Sequence, residues 1–549
     1  RSIASAQASA RASTAGARAA AVANKLSDTD LVGQVLVPEL YGESATSVSA
    51  SAAKANRKIA GVDTPAQIIA KFRLGGVILA NLASGDPTAL TNKTTNIASA
   101  SQVRSLDAGL QKAAAALPAK APLLIGTDQE YGVVTRLRSG VVQLPSAMAF
   151  GAAHDPKLTQ AAWAAAGHDL AGVGLNVDFA PDADVVADAG NTVIGSRSFG
   201  GTASAVASQV GAAVNGLHSA GIGTAIKHFP GHGDTDTDSH TSLPVLHQSL
   251  AQLTSVDLAP FKAGIAAGTD MVMVGHLDVT AVDPGIPATF SPKVVTGLLR
   301  DQLGFKGVVI TDAMNMEPAM RWAPGEAAVR AVLAGDDMLL MPPDLAAAQS
   351  GLLAALHSGR LPRAQLVASV TRILTLKFGL AVGSGGGAGS GASGGATDGT
   401  QLDSPAARAT AAKVAAAAVT VLSGACHGPL ASGPVSVASP SGYRSTAGVL
   451  ADALRADGVD VVTSGGTEVD IVGYGDGVSH LDPDAAITVA VDTPYVLRYA
   501  KSPVRLATYS ATAASMTALA AVIAGRAAAP GSSPVPVTGL PRSACAPAG

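Results

Sequence analysis

Residues Gly307 to Met316 read GVVITDAMNM, an apolar, β-branched run that stops at a carboxylate, Asp312. A run this short suits one buried strand, and a strand buried on both faces belongs to a parallel sheet covered by helices. The same pattern recurs at Val35 to Val37, Gly76 to Leu79, Leu123 to Thr127, Leu175 to Phe179, Gly223 to His228, Asp270 to His276 and Met338 to Met341. Helical stretches separate these runs. Eight βα alternations predict an α/β protein built on a TIM (β/α)8 barrel, whose functional mouth lies at the C-terminal ends of the strands. Asp128, Asp178, Lys227, His228, His276 and Asp312 each stand at or just past such an end. Ionisable groups are costly where apolar strands end unless they serve a purpose, so the pattern gathers them around one mouth.

The run VGSGGGAGSGASGGATDGT, Val382 to Thr400, has the composition of a flexible tether and ends this first unit. Beyond it the runs VTVL, VSVA, VDVV, VDIVGY, ITVAV and RLATYS alternate with Ala-rich helical pieces. This is again a parallel α/β pattern, too short for a barrel, and it predicts a smaller α/β/α sandwich. Few ionisable groups cluster at its strand ends, so no catalytic residue is expected there. The expected organisation is an N-terminal stalk over 1–25, a barrel over 26–381, a linker over 382–400 and the sandwich over 401–549.

The 549 residues are 48% hydrophobic, enough for two large cores, and carry a formal net charge of −3. A surface without strong sign does not invite a polyanion, so nucleic acid is not an expected partner. Mean hydropathy is +0.32. Yet no unbroken apolar run reaches the roughly 18 residues that suggest a membrane span. Cys426 and Cys545 are the two cysteines; they lie near the two ends of the second unit, either bridged or as buried thiols. The opening RSIASAQASARASTAGARAAAVANKL reads as a stalk that follows an export signal and leads into a helix, with a chain trimmed at an arbitrary point as the alternative. The expected location is extracellular or in the cell envelope, with a lipid anchor left open.

The richest segment for chemistry is AIKHFPGHGDTDTDSH, Ala225 to His240. Three readings compete for it. A metal site could draw on His228, His232, His240 and the aspartates, but compact zinc spacing and the closing Glu of a calcium loop are both missing. A solvated polar loop is the plain alternative, since Asp and Thr are ordinary turn formers. In the third reading Asp238 orients His240 and raises its pKa, so the imidazolium gives a proton to a leaving oxygen and later takes one from water. Asp312 then supplies the carboxylate, although a strand-end Asp also serves commonly as a helix cap.

Taken together, GTDQEYGVVTRL at Gly126 to Leu137, NTVIGSRSFG at Asn191 to Gly200, KHFPGHGDTDTDSH at Lys227 to His240 and VVITDAMNM at Val308 to Met316 resemble the β-N-acetylglucosaminidases of glycoside hydrolase family 3. The resemblance implies that Asp312 is the nucleophile and His240 the acid/base with Asp238 as its partner. It also implies that Asp128, Arg136, Arg197, Lys227 and His228 hold the terminal sugar, with no cofactor and no metal. A two-step, retaining hydrolysis of terminal β-linked N-acetylglucosamine follows, on cell-wall GlcNAc-MurNAc fragments or chitooligosaccharides. Related β-glucosidases take their acid/base from a carboxylate outside the barrel, whereas the Asp238 and His240 dyad looks like the acetamido-sugar branch.

Two rivals remain. With His in place of a second carboxylate, phosphate could approach without repulsion and make the chain a phosphorylase. A non-catalytic carbohydrate-binding envelope protein would need the nucleophile or the dyad to be lost, and Asp312, Asp238 and His240 are all present. One departure from the family pattern is Tyr131, which stands where a glycine is usual and bears on the shape of the sugar-binding turn. The sequence does not fix the oligomeric state.

Overall fold

The computed structural model describes residues 14–80, 94–186, 189–235, 237–238, 242–383 and 401–545. The eight expected strand positions all form strands: β1 (Leu36–Val37), β2 (Gly76–Ile78), β3 (Leu124–Thr127), β4 (Val177–Asp178), β5 (Gly223–Phe229), β6 (Met271–Val274), β7 (Val308–Thr311) and β8 (Leu339–Leu340). The strands β2 to β7 make one curled parallel sheet in sequence order, and β1 pairs in parallel with β8. Single bridges, Glu39 to Ile78 and Ile310 to Met338, join that pair to the two edges of the sheet. Val37, Val77, Leu124, Val177, Met271, Ile310 and Met338 converge on one small interior void. Gly126 leaves room for the Phe179 ring there, since a Cβ would lie 2.6 Å from it.

The helices between strands start at polar caps that take up the otherwise unpaired first amides, as at Ser99, Ser146 and Asp155. Residues 14–23, in the segment read as a stalk leading into a helix, form a helix. Its Ala15, Ala19 and Ala23, one turn apart, are buried in the core of the first unit. Arg18 lies 3.9 Å over the Phe378 ring.

The second unit is a five-stranded sheet of β9 (Thr420–Ser423), β10 (Val435–Ala438), β11 (Thr467–Val472), β12 (Ile487–Ala490) and β13 (Val504–Ala507), ordered β9-β13-β12-β11-β10. The strand β9 runs antiparallel to β13 and the other pairs are parallel. The VDVV run does not become a strand. Val461 only bridges Val435, on the edge of β10 that faces away from β11.

Alternation along the strands sorts the two faces. Val421, Ile471, Val489 and Leu506 pack against Leu450, Leu454, Met516 and Leu519 of the helices Arg444–Ala456 and Ala513–Ile523. Their neighbours Leu422, Val472, Ala490 and Ala507 pack against Met148, Ala149 and Ala152, which belong to the helix Ala147–Ala153 of the first unit. One outer layer of the expected sandwich is therefore borrowed from the first unit. Ser146 Oγ donates to the Tyr509 carbonyl at 2.6 Å across the same junction.

Cys426 and Cys545 form a disulfide, with Cα atoms 5.2 Å apart and a sequence separation of 119. It ties the C-terminal tail to the edge of the sheet, where Ala544 N–H also donates to the Val421 carbonyl at 2.7 Å. A closed loop of that length restricts the unfolded chain by an amount worth roughly 3–5 kcal/mol. Reduction under native conditions, or Cys426→Ser with Cys545→Ser, should lower the thermal midpoint of the second unit; an unchanged midpoint would contradict this account.

Candidate active site

The segment Asp128 to Leu137 leaves β3 and folds around Gln129. The Gln129 Oε1 accepts from the amides of Arg136 and Leu137, each at 3.0 Å, and its Nε2 donates to the Leu137 carbonyl at 3.0 Å. This clasp turns Arg136 back toward Asp128, whose carboxylate lies 3.7 Å from the guanidinium. Tyr131 occupies the left-handed region with φ of 68°. Its ring does not enter the mouth; it is buried, edge-on to Trp163 at 5.7 Å. The departure at this position thus fills the core behind the turn.

At the centre lies Glu130. Arg197 Nε and Nη2 donate to its two oxygens at 2.7 and 2.9 Å, and Lys227 Nζ lies 2.6 Å from Oε1. Lys227 also donates to Asp128 Oδ1 at 2.7 Å. Burial pushes the Glu130 carboxyl upward, but Arg197 and Lys227 overcome it and hold the group ionised, well below the usual carboxylate range. Burial likewise pulls Lys227 and Arg197 down, and their carboxylate partners reverse this, so both stay charged.

Beneath this cluster, Asp184 accepts from His228 Nδ1 at 2.8 Å and from the His232 amide at 2.7 Å. Burial raises the Asp184 carboxyl, yet His228 lowers it to about 2 overall. On the other side of the His228 ring, Nε2 is 3.3 Å from Arg197 Nη2. Asp182, Asp184 and His228 bring one potential ligand atom each within 4.8 Å of one another. The Arg197 guanidinium already stands 3.9 Å from Asp182 and supplies positive charge there. Asp178 is fully buried and accepts from the Gln129 amide at 3.0 Å, so it supports the turn from below.

Asp312 follows β7. Its amide donates to the Val274 carbonyl at 2.9 Å and its Oδ1 accepts from the Ala313 amide at 2.7 Å, with the side chain half-buried. His276 is fully buried and steadies this strand end: its Nε2 lies 3.0 Å from the Ala313 carbonyl and its Nδ1 2.8 Å from Thr289 Oγ1. A cleft of about 360 Å³ adjoins the same loop, lined by Met314, Arg321, Trp322 and Pro343 among others. Asp238 is half-buried on the loop after β5, and its carbonyl accepts from the Ser242 amide at 3.1 Å. His240 lies outside the described residues.

The structure thus unites Asp128, Arg136, Arg197, Lys227 and His228 in one polar cluster. Sequence reading missed Glu130, Asp182 and Asp184. The signals were present, since Glu130 stands two residues past Asp128 and the other two follow β4 in APDADVV. Glu39, just beyond β1, is also buried, and burial raises its carboxyl to about 8.

Among the described residues, buried His232 has no hydrogen-bond partner for either ring nitrogen, and burial lowers its pKa to about 4. Between that value and the ordinary 6.5 the unfolded chain binds more protons, so stability falls as pH drops through this window, by up to about 3 kcal/mol. His232→Asn should flatten the slope of thermal midpoint against pH between 6.5 and 4; an unchanged slope would assign the acid sensitivity elsewhere.

Comparisons with known proteins identify relatives of this chain. The model described as "Glycosyl hydrolase family 3 N terminal domain" matches residues 32–376. Beta-hexosaminidase A of Pseudoalteromonas piscicida is 32% identical over 381 residues, which are 64% of this chain and 60% of the relative's length. A beta-hexosaminidase of Stenotrophomonas maltophilia (strain R551-3) is 39% identical over 254 residues, 45% of this chain and 73% of its own. A solved family 3 β-N-acetylglucosaminidase from Paenibacillus sp. str. FPU-7 superposes with a TM-score of 0.80 at 32% identity, over 93% of this chain and 99% of that one. With the family model covering well over half of its length, the chain belongs to glycosyl hydrolase family 3.

Proposed function

We propose that the chain is a retaining exo-β-N-acetylglucosaminidase. One observation carries the reading: Asp312 stands at the C-terminal end of β7, in the same parallel sheet as β3 and β5, whose C-terminal ends present the Asp128, Glu130 and Lys227 cluster. The bridges from β1 to β2 and from β7 to β8 support a closed (β/α)8 barrel over 26–381, with the sandwich over 401–549 as a second domain. The two beta-hexosaminidase relatives and the superposing β-N-acetylglucosaminidase support the acetamido sugar as substrate class.

In the first step an Asp312 oxygen attacks the anomeric carbon while the glycosidic C–O bond breaks, and His240, oriented by Asp238, protonates the leaving oxygen. In the second, water attacks the same carbon and gives its proton to His240, releasing the Asp312 carboxylate. Two inversions give retention. Asp128, Arg136, Arg197, Lys227 and His228 hold the sugar through charge-assisted hydrogen bonds, whose directions the buried network fixes in advance. GlcNAc-MurNAc fragments or chitooligosaccharides fit this scheme, and the disulfide supports export to an oxidising compartment, extracellular or in the envelope.

Hydrolysis of p-nitrophenyl β-N-acetylglucosaminide should exceed that of the β-glucoside and be indifferent to phosphate. Asp312→Asn should lower kcat by at least about 10³-fold, and His240→Ala by roughly 10²–10⁴-fold. Acceleration by phosphate, with sugar phosphate as product, would make the chain a phosphorylase. Glucoside preference, or full activity in Asp312→Asn, would refute the assignment.

A further inference from the structure

The turn that carries Arg197 is held from outside its own unit. Two residues beyond β12, Asp492 is buried and its Oδ1 accepts a hydrogen bond from Ser196 Oγ. Next to it, Thr493 packs on Gly195, whose φ of 46° suits glycine; a Cβ there would lie 3.2 Å from Thr493 Cγ2. At the far end of the turn, Gly201 N–H donates to the Pro534 carbonyl at 3.1 Å, and a Cβ on Gly200 would lie 2.8 Å from Pro534. Three points of the second unit therefore grip both sides of Arg197.

The same segment reaches the loop that leads to Asp238. Asn191 Oδ1 accepts from the Ile194 amide at 2.9 Å, while its Nδ2 donates to the His232 carbonyl at 2.8 Å. A shift of residues 191–201 would move the Arg197 guanidinium against Glu130 and loosen His232 together. Such a segment is a lever between the two units.

We infer that the second unit aligns the sugar-binding face of the first, with Asp492 as a positioning residue that acts through Ser196 on Arg197. This rests on the role proposed above for Arg197. By analogy with the outer partners that orient metal ligands, whose removal typically costs 10- to 100-fold, loss of this buried acceptor should be felt at Arg197. Asp492 touches no substrate in this scheme; it sets where Arg197 stands.

In the full chain, Asp492→Ala should lower kcat/KM for p-nitrophenyl β-N-acetylglucosaminide roughly tenfold, mostly through KM. Ser196→Ala should do the same. Asp492→Asn keeps an acceptor oxygen for Ser196 and should restore kcat/KM to within about twofold of the parent. Added to Arg197→Lys, Asp492→Ala should cost less than about twofold more, because both act through one group. Hydrogen exchange over residues 191–201 and 229–235 should speed up in Asp492→Ala. Losses that multiply in the double variant, or unaltered exchange over 191–201, would overturn the inference. A parent inactive on this substrate would instead remove the proposed function, and the exchange measurement would still decide the positioning role.

Discussion

The mouth of the first unit depends on one buried carboxylate, Glu130, held between Arg197 and Lys227. Removing charges from water costs several kcal/mol per ion, and only a nearly complete set of partners repays it. Here the set is shared. Lys227 spans Glu130 and Asp128, while Arg197 spans Glu130 and the edge of His228, which Asp184 holds from behind. Deleting any one member leaves an uncompensated buried charge, at a cost of about 3–5 kcal/mol. That interdependence fixes the direction of Asp128, and with it that of Arg136 beside it.

Much of the fold was legible because its signals are local. Most strands of the first unit are apolar runs that end at or near a polar residue, so the eight positions could be placed within a residue or two. The site was legible only in part. Asp128, Arg197, Lys227 and His228 were named, but the pairing of Glu130 with Arg197 links residues 67 apart in sequence, and that of Asp184 with His228 links residues 44 apart. No short-range pattern carries such information. The VDVV run misled because its composition suits a strand, whereas Val461 makes only a single bridge to Val435 at the outer edge of β10.

The second unit shows what sequence reading undervalues. Its strand ends look poor in chemistry, yet Asp492 and Pro534 abut the turn that presents Arg197, and one face of its sheet is roofed by a helix of the first unit. Tyr131 carries a similar lesson. Its ring looks obstructive beside Asp128, but the positive φ swings it onto Trp163 and away from the mouth. The direction of a side chain is a property of the backbone that bears it.

The central claim is that Asp312 is the group that bonds to the sugar. Incubation with a fluorinated N-acetylglucosaminyl fluoride that forms the glycosyl-enzyme faster than water releases it, followed by peptide mass mapping, tests this directly. The account predicts one added sugar residue on the peptide that contains Asp312, absent in Asp312→Asn. A label on another carboxylate, or turnover without any covalent adduct, would contradict it.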